Sequence, residues 1–211
     1  ARLPLSLCSF SFVAHENPVM MPLFCPRLQY WIILREPVAR ILSRMSKLYP
    51  GQAPFHSISQ SVLKKVMRNH TSSVWFLEPQ CHEFSGSVAL NNWYVRSLNG
   101  PAAYQLPFGE MSDSHYTQAT RVLDDAQAVI PTENLTALPA LLSMTLGLKS
   151  GLPEFPAKER TSGGGHMDDF SPDAETMSLL HHYNQLDVKL YTYARQVFEH
   201  QASVGLRLTR L

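Results

Sequence analysis

The sequence predicts an α/β fold with a central parallel sheet flanked by helices. The run 31–34 holds four consecutive apolar residues, which is typical of a strand covered on both faces. A helical pattern follows this run at once, and the second short apolar run, 128–132, again leads into a helical pattern. Strands that alternate with helices indicate a parallel sheet, because each parallel connection needs a crossover.

The predicted central strand, 29–35, passes directly into a helix predicted over 37–48. Pro37 fits the first helical turn, where its missing N–H and fixed φ do no harm. Apolar residues then recur at helical spacing, at Val38, Ile41, Leu42, Met45 and Leu48. Arg35 is therefore expected at the carboxyl edge of the sheet, where open α/β folds bind their ligands.

The remaining elements follow from the same signals. A strand at 5–13 is expected to precede an irregular segment, 14–27, that contains three prolines. Helices are predicted at 57–69, 87–98, 113–126 and 134–146, the last with a kink or a late start because it contains Pro139.

The last third of the chain divides into a loop and a helix. Residues 150–170 are expected to form a mobile loop, because glycine and proline recur there and 163–165 are all glycine. Ser171-Pro172-Asp173 is a strong helix start, and an apolar stripe continues to Phe198. We expect one long amphipathic helix, 171–203, to close a single domain that spans 1–211.

Composition narrows the function classes. The chain has 211 residues, of which 45% are hydrophobic, and this is enough for a sizeable core. A formal charge of +1 argues against a dedicated nucleic-acid surface, whereas acidic glycans need only a local basic patch. The three cysteines show no metal-site spacing, and two N-glycosylation sequons, at Asn69 and Asn134, mildly favour a luminal compartment.

An arginine and a hydroxyl held at a sheet edge suit a phosphate group; the alternative is a structural corner with a solvated arginine. The run Arg35-Glu36-Pro37…Arg40…Ser43 resembles the Arg-Asp/Glu-Pro-x-x-Arg-x-x-Ser signature of sulfotransferases, which holds the 3′-phosphate of the sulfate donor PAPS. The resemblance implies that Arg35 pairs bidentately with this phosphate and that Ser43 donates a hydrogen bond to it. The role of Arg40 is less defined.

Three later stretches resemble the same family in the same order. They are 91–100 (Asn-x-x-x-Arg-x-Leu-x-Gly), 128–135 (a strand ending in Thr-Glu) and 186–194 (Leu-Asp-x-x-Leu-Tyr-x-Tyr-Ala). The chain is most similar to Golgi carbohydrate O-sulfotransferases, including those that act on heparan sulfate. This resemblance implies a three-layer P-loop-type fold. It also implies that PAPS is the donor, that a glycan is the acceptor and that no metal is needed. The full-length protein would be a type II membrane protein of the Golgi lumen, with its anchor outside this chain.

Members of this family bind the donor's 5′-phosphosulfate in a loop well before the strand that carries the signature arginine. No Gly/Ser/Thr-rich loop with a lysine occurs between Ala1 and Arg35. We therefore expect an N-terminally incomplete domain, the C-terminal portion of the family fold. Such a piece would bind the donor poorly.

The resemblance also implies a general base just after the strand that precedes the signature strand. His15 occupies that place, with Glu16 as the alternative or as its orienting partner; the other interpretation is a loop histidine without chemistry. Arg160 loosely resembles the basic residue of a loop that closes over the nucleotide; the favoured alternative is a solvated, disordered loop. Asn92 and Arg96, four residues apart on one predicted helix face, would meet the acceptor sugar or brace the fold.

Three functions therefore remain open at the level of sequence. They are a PAPS-dependent glycan sulfotransferase, a P-loop kinase relative with its phosphate-binding loop upstream, and a non-catalytic relative that binds glycans or partners. The acceptor sugar and the oligomeric state cannot be read from the residues.

Overall fold

The computed structural model describes residues 30–48, 61, 63–64, 67–68, 90–137 and 172–208. Strand β1 (Trp31–Leu34) passes into helix α1 (Pro37–Leu48) and lies parallel to strand β2 (Ala128–Pro131). Trp31 is paired with Ala128 and Leu34 with Pro131. The described part is thus mixed α/β, mostly helical, with a small parallel sheet, which confirms the predicted class in its coarse form.

The helices lie largely where periodicity predicts them, with different bounds. Leu63, Met67 and their described neighbours at 61, 64 and 68 are helical, within the predicted helix 57–69. The others in the described ranges are α2 (Trp93–Leu98), α3 (Pro101–Tyr104), α4 (Asp113–Asp124), a 3₁₀ helix (Thr132–Ala137), α5 (Ala174–Tyr183) and α6 (Gln185–Leu208).

Two predicted helices are divided differently in the structure. The prediction that 87–98 is one helix is wrong at its start, because Asn92 adopts the left-handed conformation (φ 49°, ψ 50°) and α2 begins only at Trp93. The prediction of one closing helix over 171–203 is also wrong. Asn184 (φ −119°, ψ 23°) interrupts it, and α5 and α6 are separate helices.

The segment after β2 is tighter than predicted. It begins as a 3₁₀ helix at Thr132, and Asn134 has a non-helical conformation inside it (φ −109°, ψ 19°). The rest of the predicted helix 134–146 lies outside the described residues. So do the predicted strand 5–13, the segment 14–27, the predicted loop 150–170 and the limits of the domain.

The buried core joins the sheet to α2, α4 and α6. Leu34 contributes from β1 and Val129 from β2; the other buried members are Tyr94, Val95, Leu98, Ala119, Leu123, Ala126, Leu190, Tyr191 and Ala194. β2 is buried along its length, whereas Ile33 on β1 remains 50% exposed. The prediction that β1 is covered on both faces is therefore wrong at Ile33, although Ile32 and Leu34 pack on the core.

Helix α6 also covers the outer edge of β2. The N–H of Val129 donates to Gln201 Oε1 (2.9 Å), and Gln201 Nε2 donates to the carbonyl of Ala126 (3.3 Å). Phe198, one turn earlier on α6, packs on Ala128 and Ile130. Among the helices in the described ranges, none is long and apolar enough to cross a membrane.

Candidate functional site

Arg35 lies immediately after β1, at the carboxyl edge of the parallel sheet, as predicted. The pairing of β1 with β2 ends at Leu34, and a side chain from α2 replaces the strand partner at Arg35. The N–H of Arg35 donates to the Tyr94 hydroxyl (2.9 Å), and this hydroxyl donates to the Arg35 carbonyl (3.0 Å). The Arg35 guanidinium makes no hydrogen bond or ion pair with any residue in the described ranges. The half-buried side chain of Arg35 therefore lies at the sheet edge, and its main chain is held by Tyr94.

Glu36 caps α1. Its carboxylate accepts hydrogen bonds from the N–H groups of Val38 (3.2 Å) and Ala39 (2.6 Å). A carboxylate suits this position because it satisfies the first free amides and lies at the positive end of the helix dipole. Since Glu36 already occupies these amides, an anion bound at this corner must be held by side chains rather than by the helix N-terminus.

Arg40 is directed towards α2. Its guanidinium carbon lies 4.7 Å from the centroid of the Trp93 ring and 5.4 Å from that of Tyr94. This is the geometry of a cation–π interaction, which stabilises a partly desolvated guanidinium. Ser43, three residues further along α1, is half-buried and shares the helix face of Arg40.

The carboxyl end of β2 brings Glu133 to the same edge. Its carboxylate accepts hydrogen bonds from the Tyr191 hydroxyl and from the Thr132 hydroxyl (3.3 Å). Burial raises the pKa of Glu133, but these hydrogen bonds outweigh it and leave the pKa below its ordinary value. Burial, and then the bond to Glu133, raise the pKa of Tyr191. Glu133 therefore links the carboxyl end of β2 to α6.

Sequence reasoning did not select Glu133 as a site residue. A signal was present, because 128–135 had been recognised as a strand ending in Thr-Glu, and parallel strands place their carboxyl ends at one edge. The contact of Glu133 with Tyr191 on α6 could not be predicted, because the two residues are far apart in the sequence.

Arg96 is completely buried. Nε and Nη2 donate to the backbone carbonyl and side-chain oxygen of Asn91 (2.7 Å each), and further bonds reach the carbonyls of Leu106 (2.6 Å) and Pro107 (2.9 Å). Burial lowers the pKa of Arg96, and the carboxylate of Asp187 opposes that effect. These are the contacts of a residue that braces the fold around α2 and α3.

Asn92 is also buried, with its side chain turned to the start of α6. Its Oδ1 accepts from the N–H groups of Leu186 (3.0 Å) and Asp187 (3.1 Å). The prediction that Asn92 and Arg96 share a helix face is wrong, because Asn92 precedes the helix in a left-handed conformation. We therefore assign both residues to the framework around the site.

Asp187 completes that framework from the side of α6. Its two carboxylate oxygens accept from the N–H groups of Tyr94 and Val95 (2.9 Å each). Burial raises the pKa of Asp187 to about 6, while the two amides and the nearby Arg40 and Arg96 act in the opposite direction.

The other predicted site residues are not placed. His15, Glu16 and Arg160 lie outside the described residues, and their roles stay predictions. Within the described ranges, no group of three or more His, Cys, Asp or Glu side chains is arranged to hold a metal ion.

Comparison with known proteins identifies no relative. No family model matches the chain, and neither the curated proteins nor the solved structures contain a match.

Proposed function

We propose that this chain is a PAPS-dependent carbohydrate sulfotransferase, or the C-terminal portion of one, and that the β1–α1 corner holds the 3′-phosphate of the donor. The observation that carries the proposal is Arg35, a cation at the carboxyl end of a parallel strand, followed by Pro37, Arg40 and Ser43 at the spacing of the sulfotransferase signature. A planar guanidinium offers two parallel N–H donors to a phosphate, so it suits this ligand better than a lysine.

Because Glu36 caps α1, the proposed phosphate is bound by side chains and not by backbone amides. The first amides of α1 are satisfied by the Glu36 carboxylate, so the proposed phosphate contacts are made by side chains: the Arg35 guanidinium and, by resemblance to the signature, the Ser43 hydroxyl. Arg40, whose guanidinium lies over the Trp93 ring, adds a positive charge on the same helix.

The proposed reaction moves a sulfuryl group. The sulfur–oxygen bond of the donor's phosphosulfate breaks, a new bond forms between sulfur and a glycan hydroxyl oxygen, and 3′-phosphoadenosine 5′-phosphate leaves. The proton of the glycan hydroxyl passes to a general base, for which His15, or Glu16, is the predicted group.

Isothermal titration with 3′-phosphoadenosine 5′-phosphate tests the donor site. Arg35→Ala should weaken binding by about 2 kcal/mol or more, which is a factor of about 30, because a charged hydrogen-bonding pair is lost. Arg121→Ala is a matched control, since Arg121 is an exposed arginine on α4, and it should leave the affinity unchanged.

Two comparisons separate the alternatives. Equal affinities for 3′-phosphoadenosine 5′-phosphate and for 5′-AMP would contradict a 3′-phosphate site. Transfer of labelled sulfate from PAPS to heparan-type polysaccharide, abolished in His15→Ala, is expected of the enzyme. Donor binding without transfer in the full-length protein would indicate the non-catalytic relative, and magnesium-dependent phosphoryl transfer from ATP would indicate the kinase relative.

A further inference from the structure

The Tyr94 hydroxyl contacts Arg35 in an unusual way. It accepts from the N–H of Arg35 (2.9 Å) and donates to the carbonyl of the same residue (3.0 Å). One oxygen that bridges the two backbone groups of a single residue restricts both φ and ψ there. Arg35 lies beyond the last strand pair, so this contact fixes its main chain where the described sheet no longer does.

Tyr94 is itself held in place. It is 7% exposed, its N–H donates to the buried Asp187 carboxylate (2.9 Å), and its ring packs edge-on against Trp93 with 5.3 Å between ring centroids. Burial raises the pKa of Tyr94 to about 12, although Arg40 and the bond to Arg35 lower it. The hydroxyl therefore keeps its proton at physiological pH and remains a donor to the Arg35 carbonyl.

We propose that Tyr94 is a positioning residue for the donor site: its hydroxyl orders the main chain of Arg35 so that the guanidinium meets the 3′-phosphate without a further loss of conformational freedom. This inference rests on the proposed function and adds a residue from α2, outside the signature run. Preorganisation of this kind raises affinity because ordering is completed before the ligand arrives.

Tyr94→Phe removes only the bridging oxygen and leaves the ring contacts in place. Affinity for 3′-phosphoadenosine 5′-phosphate should fall about tenfold, because the main chain of Arg35 would then be ordered only when the ligand binds. Affinity for 5′-AMP should not change, because that ligand lacks the phosphate that Arg35 binds. Tyr193→Phe is the matched control: it removes a hydroxyl bonded to Asp124 (2.5 Å) on α4, and it should change neither affinity.

A double-mutant cycle separates positioning from a general structural effect. In an Arg35→Ala background, Tyr94→Phe should have no further effect on binding, because its action passes through the guanidinium. Additive losses in the cycle, or equal losses for both nucleotides, would overturn the proposal.

Amide hydrogen exchange at Arg35 tests, without any ligand, whether Tyr94 orders the main chain of Arg35. Exchange at this amide should become faster in Tyr94→Phe and remain unchanged in Tyr193→Phe; unchanged exchange in Tyr94→Phe would overturn the proposal. A full-length wild-type protein that does not bind 3′-phosphoadenosine 5′-phosphate would reject the proposed function and the role towards phosphate, while the exchange measurement would still show whether Tyr94 orders Arg35.

Discussion

Asp187 is an acid enclosed completely by the protein. Its side chain has no exposed surface, and both of its oxygens are bonded to the first amides of α2. Desolvation disfavours its charge, while the amides, Arg40 and Arg96 favour it. Burial is the larger effect, so the folded protein holds a proton on Asp187 at a higher pH than the unfolded chain does.

The stability of the fold should therefore depend on pH through Asp187. The pKa is about 6 in the folded state and 3.8 for an ordinary aspartate, so the folded state binds more protons between these values. The stabilisation from this difference is present below pH 3.8 and is lost as the pH rises through about 6, by about 2–3 kcal/mol in total.

Urea unfolding of the wild type and of Asp187→Asn at pH 4, 5, 6 and 7 measures this effect. The asparagine variant has no titrating group at 187. The free energy of unfolding of the wild type minus that of the variant should therefore decrease as the pH rises from 4 to 6, because only the wild type loses this stabilisation. A difference that stays constant across this range would contradict the assignment.

At the scale of elements, α2 and α6 cap each other. Asn92, at the start of α2, accepts from Leu186 and Asp187 N–H, whereas Asp187 accepts from the first amides of α2. The Asn184 side chain adds an acceptor for the N–H of Asn92 (3.1 Å). The first free amides of both helices are thus satisfied by residues of the opposite segment.

Substitutions of Asn92 should separate its two contributions. Asn92→Gly removes the cap but tolerates the positive φ, and we expect a loss of about 1 kcal/mol. Asn92→Ala removes the cap and keeps a Cβ in the left-handed region, which alanine tolerates less well than asparagine or glycine, so its loss should be about 2 kcal/mol. Chemical denaturation measures both variants, and an alanine variant as stable as the glycine variant would contradict this explanation.

The same cap shows why only part of the fold could be predicted. The start of α1 depends on neighbours in the chain, Glu36 and Pro37, and the prediction at that point is confirmed. The start of α2 depends on Asn184 and Asp187, which are more than 90 residues away, so local periodicity placed it wrongly. The break at Asn184 was missed because the apolar stripe continues across it.

The candidate site divides in the same way. Arg35 could be placed at the sheet edge because a run of apolar residues and a proline define the β1–α1 corner. Tyr94 could not be assigned to that corner, because only tertiary packing brings α2 against it, whereas Glu133 could have been assigned from the parallel pairing of the two strands.

At the scale of the whole molecule, α6 connects the candidate site to the far edge of the sheet. Its first turn holds α2 through Asp187, and its later turns reach β2 through Gln201. Between these ends it packs on α4 through Leu190 and Ala194. The long helix is therefore the element that ties the separate parts of the core together.

Gln201→Ala should weaken this connection. The buried N–H of Val129 would lose its acceptor, at a cost of about 1–3 kcal/mol, and this side of β2, where no strand of the described ranges pairs, would be less protected against association with another chain. Gln196→Ala, at an exposed position on α6, is the control and should change stability by less than about 0.5 kcal/mol. Urea unfolding and light scattering measure the two effects; equal behaviour of the two variants would contradict the role of Gln201.

The mutual cap of α2 and α6 has a consequence for how the chain folds. Helix α2 has only 6 residues, too few to be stable alone, and its capping groups lie 92 and 93 residues later. The closure of this long loop must come before α2 gains its stabilising contacts, which is typical of slow folding. During synthesis, Tyr94 therefore gains its support only after residue 187 has left the ribosome, and the anchoring of Arg35 belongs to the last steps of folding.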